Sequence, residues 1–182
     1  DVAVLENITL HIPNGTSLGI VGATGAGKSS FVNLIPRLQD VTSGLITIGG
    51  HEITKIPIQT LRNTIGIVQQ EPFLFSLSIA DNIRFGKPDA TEEEVIQASK
   101  RAALHDDIAT LHDGYNTIVG ERGITLSGGQ KQRTAIARAL VREPKILILD
   151  DALSAVDTST EEKILNGLTE IMKDRTTIII AH

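Results

Sequence analysis

With 182 residues, 41% of them hydrophobic and 21% charged, the chain has the length and composition to bury a single globular core. A net charge of −5 argues against non-specific nucleic-acid binding, which needs a basic surface, and the absence of Cys excludes disulfides and thiolate metal sites. No run approaches the roughly 20 apolar residues of a helical membrane span.

Val4, Leu5, Ile8, Leu10 and Ile12 approximate alternation, which predicts a strand over residues 2–12, closed by the turn Pro13-Asn14-Gly15. Leu18-Gly19-Ile20-Val21 reads as a short buried strand, and Phe31-Val32-Asn33-Leu34-Ile35 as the body of a helix whose last turn Pro36 marks. Between them lies Gly22-Ala23-Thr24-Gly25-Ala26-Gly27-Lys28-Ser29, the Gly-four-residues-Gly-Lys-Ser pattern of a P-loop. Strand, glycine turn and helix start are what a phosphate cradle needs. Glycines let backbone N–H groups close around an anion, and the helix N-terminus adds free donors and partial positive charge. The motif places Lys28 on the terminal phosphates and the Ser29 hydroxyl on Mg²⁺.

Residues 42–44 form a loop, 45–48 a strand, Gly49-Gly50 a tight turn, and 65–69 a strand ending at Gln70-Glu71-Pro72. From about 77 to 118 the pattern turns helical. Thr91-Glu92-Glu93-Glu94 is a capping box, and Val95, Ile96, Ala98, Ala102 and Ala103 fall on the buried side. This reads as a helical subdomain inserted into an α/β core. Ser127 opens a further helix carrying Ile136, Ala139 and Leu140, which Pro144 ends. Ile146-Leu147-Ile148-Leu149 is the continuous apolar run of a strand inside a parallel sheet. Residues 159–172 form an amphipathic helix with Ile164, Leu165, Leu168, Ile171 and Met172 in register, and 176–181 a last strand with His182 at its end.

Two further stretches carry chemistry. Leu149-Asp150-Asp151 sets two carboxylates at the C-terminal end of a buried strand, the edge where open α/β sheets bind ligands. Asp150 is the natural partner for a Mg²⁺ held by Ser29. Leu126-Ser127-Gly128-Gly129-Gln130 has the makings of a second anion site: Ser127 can cap the helix, and consecutive glycines leave N–H groups open at its positive end.

Together with the P-loop and the Asp-ended strand, Leu126–Gln130 and the following Lys131-Gln132-Arg133 resemble the signature motif of the ABC ATPases. The resemblance implies an α/β P-loop NTPase fold: a mainly parallel core sheet, an N-terminal antiparallel β subdomain and the inserted helical subdomain. The corresponding divisions are 1–76, 77–143 and 144–182. It implies ATP and Mg²⁺ as cofactors, with nucleotide contacts at Gly22, Thr24, Gly25, Ala26, Gly27, Lys28, Ser29 and Ser30. Ser127, Gly128, Gly129 and Gln130 would contact the nucleotide of a second ABC ATPase domain, identical or different, packed head to tail. Ser29, Gln70 and Asp150 would serve the metal, and Asp151, Gln70 and His182 the reaction. Gln70 matches the Q-loop glutamine, Ser154-Ala155-Val156-Asp157 is similar to the D-loop, and His182 resembles the switch histidine. Thr117-Ile118-Val119-Gly120-Glu121-Arg122-Gly123 looks like the exporter segment that meets the coupling helices of a transmembrane domain. Phe73-Leu74-Phe75-Ser76 has the exporter form too. The implied setting is the cytoplasmic face of a membrane.

The chain departs from the family pattern twice. The position after Asp150 is usually Glu, which polarises the attacking water, and here it is Asp151. The carboxylate then sits about 1.5 Å back, so the chain resembles the weak-site subunit of a heterodimeric exporter. The adenine-stacking aromatic and the segments after the switch histidine are absent, so the expectation is a fragment of a longer polypeptide with a transmembrane domain ahead of it. The same core motifs would serve a non-transport ATPase acting on DNA or ribosomes, which the acidic charge and the 117–123 segment disfavour. A nucleotide clamp with little hydrolysis is the reading that Asp151 allows.

Overall fold

The computed structural model describes residues 3–120, 125–152 and 175–181, together with 164, 169 and 172. In chain order the elements are β1 (Ser17–Val21), α1 (Lys28–Leu34), β2 (Thr47–Ile48), β3 (His51–Glu52), α2 (Ile58–Thr64) and β4 (Ile65–Val68). There follow α3 (Ile79–Arg84), α4 (Glu92–Arg101), α5 (His105–Ala109), α6 (Gly128–Leu140), β5 (Ile146–Asp150) and β6 (Thr176–Ala181). Short 3-10 turns occupy Ile53–Lys55 and Gly114–Asn116.

Four strands form one parallel sheet in the order β1-β6-β5-β4. Strand β5 is interior, with Ile148 opposite Ile67 on one side and Ile178 on the other. Its apolar run is buried on both faces, as expected for a central parallel strand. Alternation sends Leu147 and Leu149 into a core shared with α3, α4 and α6, and Ile148 into a second core with Val32 of α1 and Leu61 of α2. The sheet is thus covered on both sides, and all four strands end at the same edge.

Helix α4 begins with the expected capping box, Thr91 Oγ1 accepting the Glu94 N–H and the Glu94 carboxylate accepting the Thr91 N–H. The expected helical region resolves into α3, α4 and α5. Helix α6 comes unusually close to its neighbours, and glycines make the room. A Cβ on Gly66 of β4 would lie 2.8 Å from Pro144 Cγ, and one on Gly86 would lie 2.1 Å from the Arg138 carbonyl oxygen.

The N-terminal reading is corrected. Residues 3–12 are not a strand, since no described neighbour pairs with them; Val4, Ile8 and Leu10 are exposed, and Val4 and Leu5 lie beside Gly27. Alternation supplies a strand's face but not its hydrogen-bonding partner. The described antiparallel sheet is therefore only the short β2–β3 hairpin, turning through Gly49 and Gly50 at positive φ. Helix α2, whose Leu61 is buried, lay in a stretch without an expected element. Of the expected helix at 159–172, only Ile164 (buried), Thr169 and Met172 are among the described residues.

Gly86→Ala should destabilise the domain by about 1–3 kcal/mol, because the new methyl meets backbone that cannot rotate away. Gly19→Ala, with no described atom within 4 Å of the added carbon, should stay within about 0.5 kcal/mol of the parent. Urea unfolding of the two variants checks the contrast.

Candidate functional site

Strand β1 delivers the chain at Val21 into the glycine turn. Gly25 and Gly27 have φ of +83° and +85°, the left-handed region that a side chain would strain, and Gly27 is the residue from which α1 starts. Thr24 and Ala26 lie within the turn, which the Ala26 N–H tightens by donating to the Ala23 carbonyl at 3.2 Å. Lys28 opens α1 and is buried. Its Nζ donates to the carbonyls of Gly22 (2.6 Å) and Ala23 (3.1 Å), so the ammonium is folded over the loop. Ser29 and Ser30 follow on the first turn, beside N–H groups that helix geometry leaves without internal acceptors. Positive charge, open N–H groups and hydroxyls thus converge where an anion would sit.

The same sheet edge gathers the acidic residues. Asp150 closes β5 and is buried; Asp151 follows with φ +49°, an uncommon conformation for a side-chain-bearing residue. That backbone is held in place: the Asp151 N–H donates to Ile180 O of β6 at 3.2 Å, and its carbonyl accepts from Gln132 Nε2 at 3.3 Å. Gln70, just past β4, donates Nε2 to Asp151 Oδ2 at 3.0 Å. A carboxylate only accepts, so Gln70 turns its nitrogen to Asp151 and keeps Oε1 for another partner. Helix α1 lies against β5, bringing the helix of Ser29 to the strand of Asp150. A hydroxyl, a carboxylate and an amide oxygen form the all-oxygen donor set that suits Mg²⁺, so these residues fit that ion.

Gln132, quoted in the sequence only within the run Lys131-Gln132-Arg133, was given no role there. It is 1% exposed on α6 and also donates to the Gln70 carbonyl at 3.4 Å, joining the ends of β4 and β5 through one amide. The local signal for that role was a polar residue on the buried side of α6. His182 and residues 154–157 lie outside the described residues, as does the 121–123 part of the exporter-like segment.

The second candidate anion site stands at the head of α6. Ser127 Oγ accepts the Gln130 N–H (3.2 Å), and Gln130 Oε1 accepts the Ser127 N–H (3.0 Å), a reciprocal capping box. Gly128 and Gly129 supply the first N–H groups of the helix, which have no intrahelical acceptor. Helix α6 packs on β4, α3 and α4. The glycine loop follows β1 at one edge of the sheet, whereas α6 packs on β4 at the opposite edge.

The segment after Gln70 is tied to α6 and α3. Arg138 of α6 donates to Phe73 O (2.8 Å), Asn82 O (2.8 Å) and Asn82 Oδ1 (3.0 Å), and its guanidinium lies 5.8 Å and 5.9 Å from the ring centres of Phe75 and Phe85. Burial lowers its pKa from the usual value for Arg. Asn82, fully buried, accepts the Phe75 N–H and returns a bond to Phe75 O. Anchored this way, Phe73 and Phe85 remain exposed, as do Leu77 and Ile118 on two segments joined by the Ser78–Ile118 bridge.

Comparison with known proteins agrees with this geometry. The ABC transporter family profile matches residues 5–154. A multidrug export ATP-binding/permease protein of Staphylococcus aureus is 51% identical over 182 residues, covering all of this chain and 32% of that protein. ABC transporter B family member 14 of Arabidopsis thaliana is 46% identical over the same length, which is 15% of it. Among solved structures, a bacterial Atm1-family ABC exporter with ATP bound superposes with a TM-score of 0.94 at 45% identity, over 98% of this chain and 31% of that one. The chain therefore spans a third or less of the length of these relatives. The phosphate loop, the Asp-ended central strand and the capped glycine helix, in the order that the family profile matches, make this chain a member of the ABC transporter family, with the fold of its ATPase domain.

Proposed function

We propose that this chain is the ATP-binding and ATP-hydrolysing domain of an exporter, acting on the cytoplasmic face of a membrane through nucleotide-dependent closure onto a second such domain. The observation that carries the reading is the separation of two anion-binding helix starts on one chain. The glycine loop follows β1 at one edge of the sheet, while Ser127–Gln130 heads a helix packed at the other edge. One nucleotide between two head-to-tail copies would meet the glycine loop of one and the capped helix of the other. Closure then depends on ATP, because its phosphates supply the negative charge that both helix starts attract. Likeness to proteins named for export supports transport over a role on DNA or ribosomes.

Within a loaded site, Lys28 would turn from the Gly22 and Ala23 carbonyls to the phosphates, beside Gly22, Thr24, Gly25, Ala26, Gly27, Ser29 and Ser30. Ser29, Asp150 and Gln70 would hold Mg²⁺, which supplies charge neutralisation on the phosphates. Gln70 and Asp151, already hydrogen-bonded, would face the attacking water, and His182 would complete the group. Asp151 is one methylene shorter than the family's usual Glu, and its backbone is tied to Ile180 and Gln132. Those ties keep it from advancing, which supports a slow hydrolytic site in this chain and a competent one completed by its Ser127–Gln130. The exposed Phe73, Leu77, Phe85 and Ile118 offer the apolar contact for a transmembrane domain, expected N-terminal to residue 1 in the same polypeptide. Residues 77–143 would then move as the helical unit between that contact and the signature helix, with 1–76 and 144–182 as the core.

In the full-length protein assembled with its partner, Gly129→Asp should abolish ATP-driven closure and transport while leaving nucleotide binding at the Lys28 loop within about twofold; unchanged transport in sealed vesicles would refute the shared-nucleotide reading. In single-turnover assays of the same assembly, Asp151→Glu should raise hydrolysis at this chain's own site by about ten- to a hundredfold, the size of effect that a misplacement of about 1 Å produces. A wild-type site already turning over as fast as the Glu variant would remove the weak-site claim.

A further inference from the structure

The head of α6 is not held by its capping box alone. Asp107, on the short helix α5, places Oδ2 3.0 Å from Gln130 Nε2 and 2.7 Å from Arg133 Nη2. Arg133 also donates Nη1 to the Ala103 carbonyl (2.6 Å) and Nε to the Gly129 carbonyl (3.3 Å). One carboxylate oxygen therefore receives two donors from successive turns of α6, one of them a guanidinium whose side chain is 11% exposed. Charge-assisted bonds of this kind are the stronger class, and partial burial keeps water from competing.

The Gln130 amide has an oxygen end and a nitrogen end, and the capping box works in one orientation only. Oε1 must face the Ser127 N–H, because an NH₂ group there would oppose another donor. Asp107 selects that orientation, since a carboxylate accepts from Nε2 but repels Oε1. With the amide flipped, Gln130 would set oxygen against oxygen at Asp107 and donor against donor at Ser127. Resting on the reading of Ser127–Gln130 as the partner-nucleotide contact, we propose that Asp107 is a positioning residue for that contact. Through Gln130 it keeps Ser127 and the glycine N–H groups aimed outward as a preformed anion cup, and through Arg133 it ties the cup to α5, so that the two travel as one body.

A preformed cup should show in the ATP concentration needed for closure rather than in the rate once closed. In the full-length assembly, Asp107→Leu should raise the ATP concentration for half-maximal closure, read by cross-linking or spin-label distances, by about tenfold, the equivalent of about 1.4 kcal/mol. Maximal turnover should fall less than threefold, and nucleotide affinity at the chain's own Lys28 loop should not change. Asp107→Asn, which retains one acceptor oxygen but loses the charge facing Arg133, should restore most of the closure. If Asp107→Leu does not fold, Asp107→Asn decides alone: a rise of about threefold supports the assignment and no rise overturns it. Normal closure in Asp107→Leu, with closure lost in Gly129→Asp, would overturn the positioning role and leave the shared-nucleotide reading intact. Normal closure in both variants would overturn the two together. A parallel loss of affinity at the Lys28 loop would show a general structural role instead, and so overturn the proposal.

Discussion

One helix serves two sites, and the rest of the structure is arranged to hold it. The first two turns of α6 carry the capped Ser127–Gln130 start on one side and Gln132 on another. Gln132 reaches the backbone of Gln70 and Asp151, while Gln130 and Arg133 reach Asp107. Any displacement of this helix head must therefore be accommodated at the ends of β4 and β5 or at α5. Neighbouring polar residues at 130, 132 and 133 split their partners because helix geometry turns successive side chains by about 100°.

Close packing makes that helix stiff. Gly66 and Gly86 bring backbone within reach of α6 where a methyl group would collide, and Arg138 spans from α6 to Phe73 and Asn82 with a fan of charged hydrogen bonds. Interiors packed this tightly shift as bodies and do not deform smoothly. The exposed Phe73 and Phe85 are thus held, through Arg138, against the helix whose head carries Gly128 and Gly129.

The parallel sheet provides the other half of the logic. Strands running the same way end at the same edge, so Gly22, Gln70 and Asp150, which are far apart in sequence, are brought to one rim by β1, β4 and β5. Strand β6 lies between β1 and β5 and gives its Ile180 carbonyl to the Asp151 N–H, fixing the turn that carries the second carboxylate. The left-handed backbone of Asp151 is held by Ile180 and Gln132, while Gln70 engages its carboxylate.

Local signals were fully legible in the sequence. The glycine loop, the capping box at Thr91, the cap at Ser127 and the apolar run of β5 each depend on residues within a few positions of one another, and each stands where the residues alone placed it. The sequence could equally show that two glycine-rich helix starts were present and that Asp151 was a shorter acid than the family uses. It could not show that 3–12 would lie unpaired, because a strand needs a partner's hydrogen bonds as well as its own alternation. Nor could it show that Gln132 would join Gln70 to Asp151, or that Asp107 would meet Gln130 and Arg133 across more than 20 residues. Those contacts exist only once the sheet order and the packing of α6 are established, since a hydrogen bond over such a separation is decided by where the fold puts each end and not by either residue's own preference.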